Sequence, residues 1–171
     1  MEVASESAYS PSASNEPTGG LQWKGSPDTG DVPMICDMSS DIFSRPVPVK
    51  KFAYIYAGAQ KNLGPAGATV AILREDMLGR IPDTLPAYLN YKNHMENNSL
   101  YNTPPVFAIW TIKLVLERMK KLGGLAAMAD HNARKSAVLY DAIAKSGGFY
   151  NCPVDPKYRS DMNVVFRLPS E

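Results

Sequence analysis

A lysine followed by a glycine-rich turn is the feature of this sequence with the clearest chemical meaning. Lys61 comes shortly after an extended apolar run over residues 52–57, and a turn with Gly64 and Gly67 follows it. This arrangement holds one amine at the end of a strand, against a backbone that glycine keeps compact. A fixed and partly desolvated amine can lose its proton near neutral pH and attack a carbonyl carbon, which is Schiff-base chemistry. The alternative is a solvated surface lysine, and the local pattern leaves both interpretations open.

A carboxylate upstream could complete a cofactor site with this lysine. Residues 32–36 form a short apolar run that ends at Asp37, and Ser39 and Ser40 follow. Such a run predicts a buried strand, and ligands of open α/β sheets bind beyond the carboxyl ends of the strands. A lysine and an acid at adjacent strand ends suit pyridoxal phosphate, because the lysine bonds to the aldehyde and the acid pairs with the protonated ring nitrogen. Alternatively, Asp37 is a turn acid that precedes the two serines.

Five segments of the sequence resemble phosphoserine aminotransferases, which belong to the class-V, fold type I group of pyridoxal-phosphate enzymes. These segments are residues 36–47 (CDMSSDIFSRPV), 56–67 (YAGAQKNLGPAG), 74–79 (REDMLG), 99–105 (SLYNTPP) and 162–167 (MNVVFR). The resemblance runs from about residue 35 to residue 168. It implies an α/β fold: part of the large domain of a fold type I transferase, with a mixed sheet flanked by helices, plus the start of the small C-terminal domain. The implied reaction transfers an amino group from L-glutamate to 3-phosphohydroxypyruvate, giving 2-oxoglutarate and O-phospho-L-serine for serine biosynthesis.

The resemblance also implies a role for each residue of the cofactor site. Lys61 matches the lysine that binds the cofactor covalently, Asp37 the acid on the pyridine nitrogen, and Gln60 a glutamine on the cofactor phosphate. In the family, a threonine directly after an Asn-Glu pair contacts the ring hydroxyl. Pro17 stands at that position here and Thr18 comes one residue later, so Thr18 is the candidate for this contact.

A homodimer is a further implication of the resemblance. Asn102 and Thr103 match an asparagine–threonine pair that reaches the phosphate of the neighbouring subunit's cofactor. Neutral donors around a phosphate are chemically sensible, and a contribution from the other subunit implies a two-fold dimer with two shared sites.

Composition and charge argue against several other classes of function. The formal net charge is +1 and no basic stripe is present, so neither nucleic acid nor an anionic membrane is expected as a partner. No apolar run approaches the length of a membrane span, and no signal peptide opens the chain. Cys36 and Cys152 form no metal-spaced motif and are expected to be reduced thiols in a cytoplasmic protein. His94 and His131 are far apart in sequence, which favours surface positions over metal ligation.

Periodicity and turn residues predict the elements that position these side chains. Three strands are expected within residues 32–74, followed by a connecting loop over residues 81–101. Thr103 is the predicted N-cap of an apolar, mostly buried helix that stops at Gly123. A second helix is predicted over residues 125–145, where small residues recur at spacings of three and four.

Composition, the resemblance and the helix end expected at Gly147–Gly148 divide the chain into three parts. Residues 1–20 are rich in Ser, Pro and Gly, which predicts an irregular or disordered N-terminal segment. Residues 21–146 are assigned to the partial large domain that binds the cofactor. Residues 147–171 are assigned to the truncated start of the small domain, with its first strand at residues 163–168.

The resemblance is to the middle portion of the family. The family's N-terminal part supplies a phosphate loop and an aromatic residue that stacks on the ring, and its C-terminal part supplies histidine and arginine residues that hold the substrate. No segment of this sequence matches those parts, so the isolated chain is expected to be inactive. The alternative hypothesis is a non-catalytic fragment or paralogue that keeps only the cofactor-binding and dimerising core.

Overall fold

The structure is a computed structural model that describes residues 7–170. Within that range the strands and α helices are β1 (Ser10–Ala13), β2 (Asn15–Glu16), β3 (Leu21–Gln22), β4 (Met34–Asp37), β5 (Tyr54–Gly58), β6 (Thr69–Leu73), α1 (Tyr91–Glu96), α2 (Val106–Lys121) and α3 (Gly124–Ala144). Short 3-10 helices lie at Val49–Lys51, Glu75–Arg80, Ala87–Leu89 and Pro156–Tyr158. The three strands expected within residues 32–74 are confirmed as β4, β5 and β6.

A mixed four-stranded sheet organises the chain, with strand order β1-β4-β5-β6. β1 pairs with β4 and β4 pairs with β5 in parallel, whereas β5 and β6 are antiparallel. The short strands β2 and β3 form a separate antiparallel pair. Because β4 and β5 are parallel neighbours, their carboxyl ends meet at one edge of the sheet.

The core lies on one face of this sheet. Cys36, Ile55 and Ala57 alternate with half-exposed residues along β4 and β5, and all three are buried. Ile112 and Leu116 of α2 pack against this cluster. Burial raises the pKa of the Cys36 thiol, because the low-dielectric core disfavours the thiolate. The period-two alternation therefore separates a packed face from a face that carries Asp37 and Tyr56.

The N-terminal segment is more regular than its composition predicts. An irregular segment over residues 1–20 is wrong for residues 10–16, which form β1 and β2, while residues 1–6 lie outside the described range. The N–H groups of Ser10 and Ser14 donate to Pro33 and Asp37 of the β4 side at 2.8 and 3.0 Å. In this alternation the ring nitrogen of Pro11 faces the outer edge of the sheet, so its missing N–H removes no hydrogen bond to β4.

The start of α2 also differs from the prediction. The helix begins at Val106 with Pro105 at the N-cap position and no side-chain cap, so Thr103 does not cap it. A residue before proline avoids the helical region, and two consecutive prolines delay the start of the helix. The expectation of a mostly buried helix is wrong as well, since only Ala108 and Met119 are buried in this chain.

The other helices follow local signals. α3 spans Gly124–Ala144, which confirms the helix predicted over residues 125–145 to within one residue at each end. The loop expected over residues 81–101 contains α1, which begins where the Asn90 side chain accepts the N–H of Lys92 at 2.9 Å. No helix among residues 7–170 is long and apolar enough to cross a membrane.

The strand predicted over residues 163–168 is wrong. Arg167 pairs with Asn151 through two backbone hydrogen bonds of 2.8 and 3.0 Å, but this is an isolated bridge. A strand needs a neighbour along its length, and in the described part of the chain none lies beside this segment. The domain boundaries placed at residues 20 and 146 stay predictions.

Candidate active site

Asp37 lies at the carboxyl end of β4, where the backbone turns sharply. Its Oδ1 accepts the N–H of Ser39 at 2.8 Å, and its carbonyl oxygen accepts the N–H of Ser14 at 3.0 Å. The side chain is half-buried and belongs to the face of the sheet opposite the core. The predicted turn geometry and the predicted strand-end position are therefore both present at this residue.

Lys61 lies in the turn that follows β5. Ala59 and Leu63 of this turn are fully buried, and the side chain of Asn62 donates to the carbonyl of Ile42 at 2.6 Å. These anchors fix the backbone on both sides of Lys61, whose side chain is exposed. The fixed amine at a strand end agrees with the sequence analysis, but the partial desolvation expected there is not provided by the described residues.

Gln60 reaches back over the end of β5. A Cβ atom added to Gly58 would lie 2.5 Å from Oε1 of Gln60, so a larger residue here would require the Gln60 side chain to move. The N–H of Gly58 donates to Oγ of Ser39 at 3.0 Å, two residues beyond Asp37 and Tyr56, the last paired residues of β4 and β5. Ser39 thus joins the turn that holds Asp37 to the strand end that carries Gln60 and Lys61.

Thr18 lies in the exposed turn between β2 and β3. The carboxylate of Glu16 closes this turn by accepting the N–H groups of Gly19 and Thr18, the latter at 3.0 Å. These two donors lower the pKa of Glu16, and the nearby ammonium group of Lys61 adds a smaller contribution in the same direction. The structure therefore brings the Glu16–Gly19 turn close to Lys61.

Tyr56 is the cross-strand neighbour of Asp37 on the face away from the core. Its pKa is raised, first by reduced hydration of the phenol and then by the negative charge of Asp37. Tyr54 lies on the same face, and its hydroxyl contacts that of Tyr91 in α1. Aromatic side chains therefore border the acid on the side of β5.

Asn102 and Thr103 lie in the segment just before α2. Both are exposed, and the Asn102 amide donates only to the adjacent Thr103 carbonyl, at 3.2 Å. Among the described residues, no hydrogen bond joins either of them to Asp37, Gln60 or Lys61. The structure thus brings three of the predicted site residues to one sheet edge, with Thr18 in the turn near Lys61.

This arrangement provides one amine, one carboxylate and one amide around the joined ends of two parallel strands. The sequence matches the family described as "Aminotransferase class-V" over residues 28–169. The chain belongs to the class-V aminotransferase family. The resemblance drawn from the motif segments is confirmed by this match.

Two curated relatives of this class-V aminotransferase are both named phosphoserine aminotransferase. This chain is 57% identical over 164 residues to the phosphoserine aminotransferase of Geobacillus kaustophilus, and the alignment covers 96% of this chain and 45% of the relative. The chain is 50% identical over 171 residues to the phosphoserine aminotransferase of Niallia circulans, and this alignment covers 100% of this chain and 47% of the relative. The chain thus spans just under half the length of the curated relatives that it matches.

Solved structures confirm the predicted fold class. The phosphoserine aminotransferase from Bacillus circulans subsp. alkalophilus superposes with a TM-score of 0.95 at 50% identity, covering 99% of this chain and 47% of that one. The pyridoxal-phosphate-bound phosphoserine aminotransferase from Trichomonas vaginalis gives a TM-score of 0.92 at 38% identity, covering 98% of this chain and 49% of that one. The class-V aminotransferase chain therefore has the α/β fold of part of a fold type I transferase.

Two residues near the site of this class-V aminotransferase are absent from the sequence-based set. A serine two positions after an aspartate at a strand end is a signal for Ser39, because such pairs form side-chain-to-backbone turns. Glu16 gives no comparable signal, since it and Lys61 lie in two turns that are far apart in sequence. Among the described residues, no group of histidine, cysteine and carboxylate side chains could hold a metal ion.

Proposed function

We propose that this chain is the cofactor-binding core of a phosphoserine aminotransferase that uses pyridoxal 5'-phosphate. The observation that carries the proposal is the meeting of Asp37 and the Lys61 turn at the joined ends of β4 and β5, bridged by Ser39. The name shared by relatives at 50–57% identity supports the substrate class. The proposed reaction consumes L-glutamate and 3-phosphohydroxypyruvate and forms 2-oxoglutarate and O-phospho-L-serine, as a cytoplasmic step of serine biosynthesis.

The donors and acceptors at this edge fit the chemical groups of pyridoxal phosphate. Oδ1 of Asp37 accepts one N–H, which leaves Oδ2 to pair with a protonated ring nitrogen. The Gln60 amide over Gly58 offers N–H donors to a phosphate, and the exposed Lys61 amine is open to an aldehyde. Thr18 is the proposed donor to the ring hydroxyl.

The residues of the chain then have distinct tasks. When bound, pyridoxal phosphate supplies an electron sink for the electrons released as a proton leaves the substrate's α carbon. Asp37 keeps the ring nitrogen protonated, because a carboxylate stabilises the adjacent positive charge. Lys61 holds the cofactor and then carries the proton to and from the α carbon. The N–H of Ser39 keeps the Asp37 carboxylate oriented during these proton transfers.

Covalent labelling tests the proposed function directly. The chain is incubated with pyridoxal phosphate, reduced with borohydride, digested and mapped by mass spectrometry. We expect the pyridoxyl group on Lys61, because among the lysines of residues 7–170 only Lys61 lies at the edge that carries Asp37 and Gln60. Lys50 and Lys51, which lie in the 3-10 helix before β5, are internal controls for random labelling. A label spread over all lysines, or centred on another one, contradicts the assignment.

A homodimer is the second part of the proposal. Phe107, Trp110 and Leu114 form an apolar stripe on α2, with exposed fractions of 70%, 53% and 43%. The rings of Phe107 and Trp110 pack together, with centroids 6.1 Å apart. Apolar surface of this extent on one helix favours burial against another chain. Asn102 and Thr103 lie just before this helix, so a two-fold partner on α2 would receive these side chains near its own cofactor phosphate.

Charge introduced into this stripe should prevent association. We expect Phe107→Lys and Trp110→Lys each to raise the dimer dissociation constant about 30-fold or more, because a central aromatic residue contributes at least about 2 kcal/mol to an interface. Sedimentation equilibrium measures the change. Val138→Lys on α3 is the matched control, since Val138 is also exposed, at 67%, but lies outside the stripe. Equal effects of all three substitutions would rule out α2 as the interface.

A further inference from the structure

A buried cluster of polar side chains joins three distant parts of the chain. We call it the asparagine cluster, and its members are Asn15, Ser40, Ser160 and Asn163. Asn15 and Ser160 have exposed fractions of 3% and 0%. The contacts connect residues that are 25, 145 and 148 positions apart in sequence. Burial of this much polarity is favourable only when every group finds a partner.

Asn15 uses its whole side-chain amide in this cluster. Nδ2 donates to Oγ of Ser40 at 2.8 Å and to Oδ1 of Asn163 at 2.7 Å. Oγ of Ser160 accepts the N–H groups of Met162 and Asn163, both at 3.0 Å, and donates its own proton to Oδ1 of Asn15. Because Ser160 Oγ already accepts two hydrogen bonds, its proton goes to the amide oxygen, which fixes the orientation of the Asn15 amide.

One arm of the cluster leads to the candidate active site. Oγ of Ser40 receives a hydrogen bond from Asn15 Nδ2 and donates to the Asn15 carbonyl at 2.9 Å. Ser40 directly follows Ser39, whose N–H holds Asp37 and whose Oγ accepts the N–H of Gly58. The position of Ser40 therefore constrains the turn that orients the Asp37 carboxylate.

The other arm leads to the C-terminal segment. The N–H of Ser160 donates to the carbonyl of Gly20 at 2.9 Å. A Cβ atom on Gly20 would lie 2.6 Å from Cγ2 of Val165, so the segment after Ser160 packs directly on the backbone of the turn between β2 and β3. Asn163 brings this segment to the cluster, and Asn15 contacts both arms. Gln22 provides a separate link, since its Nε2 donates to Oδ2 of Asp41 and its Oε1 accepts the N–H of Asp161, both at 3.2 Å.

We propose that Asn15 is a positioning residue through which docking of residues 160–163 sets the orientation of the Asp37 carboxylate. Asn163 accepts a hydrogen bond from one N–H of the Asn15 amide, and Ser40 accepts one from the other. A displaced C-terminal segment therefore loosens the turn over residues 37–41. The part of this proposal that concerns cofactor affinity rests on the proposed function, whereas the coupling of the two segments does not.

Amide hydrogen exchange on the cofactor-free chain tests the coupling by itself. Asn163→Ala removes the hydrogen bond from Asn15 Nδ2 to the C-terminal arm and leaves that from Ser160 in place. We expect the amides of Ser39 and Gly58 to exchange about tenfold faster, since one buried hydrogen bond is lost from their support. Ser136→Ala is the matched control. It removes the 3.1 Å contact between Ser136 and Asp161, which also docks this segment but does not reach Asn15. Equal exchange at Ser39 and Gly58 in the two variants overturns the proposal.

Cofactor affinity gives a second, independent measurement. We expect Ser40→Ala and Asn163→Ala each to raise the dissociation constant for pyridoxal phosphate about fivefold, and the double variant to raise it by less than the product, because both act through Asn15. Ser136→Ala should leave the constant within twofold of wild type. Fully multiplicative effects overturn the shared route. If the wild-type chain binds no pyridoxal phosphate, the proposed function fails, and the exchange experiment still decides the coupling.

Discussion

Replacing Asp37 by alanine should weaken pyridoxal phosphate binding by about 10- to 150-fold. A hydrogen bond to a charged partner contributes roughly 1.5–3 kcal/mol, which corresponds to this range. The carboxylate is half-buried and already held by the N–H of Ser39, so its loss removes an oriented charge rather than a mobile one. An absorbance titration of the cofactor measures the dissociation constant.

Asp37→Asn separates the charge of this side chain from its shape. The amide oxygen can still accept the N–H of Ser39, so we expect the free energy of unfolding in urea to stay within about 0.5 kcal/mol of wild type. Cofactor affinity should nevertheless fall nearly as far as in Asp37→Ala, because a neutral amide cannot stabilise a protonated ring nitrogen. Binding by both variants within twofold of wild type would show that Asp37 serves the turn alone.

Local sequence signals were sufficient for the parts of the fold that are defined by neighbouring residues. β4 and β5 follow from short apolar runs, and α3 follows from small residues at helical spacing between glycines. The strand-end positions of Asp37 and Lys61 follow from the same signals, because a polar residue after a buried strand lies at the sheet edge. The identities of these two site residues were therefore predictable from the sequence, but the distances and hydrogen bonds around them were not.

Contacts between distant segments account for what the sequence analysis missed. β1 forms although it contains Pro11, because β4 supplies its hydrogen-bond partners from more than twenty residues away. The nearness of Lys61 to Glu16, and the hydrogen bond between Asn15 and Asn163, depend on how separate turns are packed. Neither has a periodicity that a sequence could reveal. Thr103 was misplaced for a local reason, since the effect of two successive prolines on the helix start outweighed its preference for an N-cap position.

The 171-residue chain alone should form no measurable 2-oxoglutarate from L-glutamate and 3-phosphohydroxypyruvate in the presence of excess pyridoxal phosphate. Catalysis needs the phosphate and carboxylates of the substrates to be held, usually by arginine. Arg45 is paired with Asp41, Arg74 with Asp76, and Arg159 stacks on Tyr140. None of these three guanidinium groups contacts the edge that carries Asp37 and Lys61. Without such positioning the activation free energy is higher by roughly 7–11 kcal/mol, which slows the reaction by a factor of about 10⁵ to 10⁸.

A coupled assay for 2-oxoglutarate measures this expectation, with Lys61→Ala as the background control. The alternative hypothesis is a non-catalytic polypeptide that binds cofactor and dimerises, and it also predicts no turnover. It further predicts that Lys61 is labelled by the cofactor and that Phe107→Lys weakens dimerisation.

The open face of the sheet is a second reason to expect a low rate. Asp37, Tyr54 and Tyr56 are all half-exposed, so water reaches the site and competes for the charges that would orient the substrate. Robust turnover that disappears in Lys61→Ala would show that these residues suffice as a catalyst and that the arginine argument is wrong.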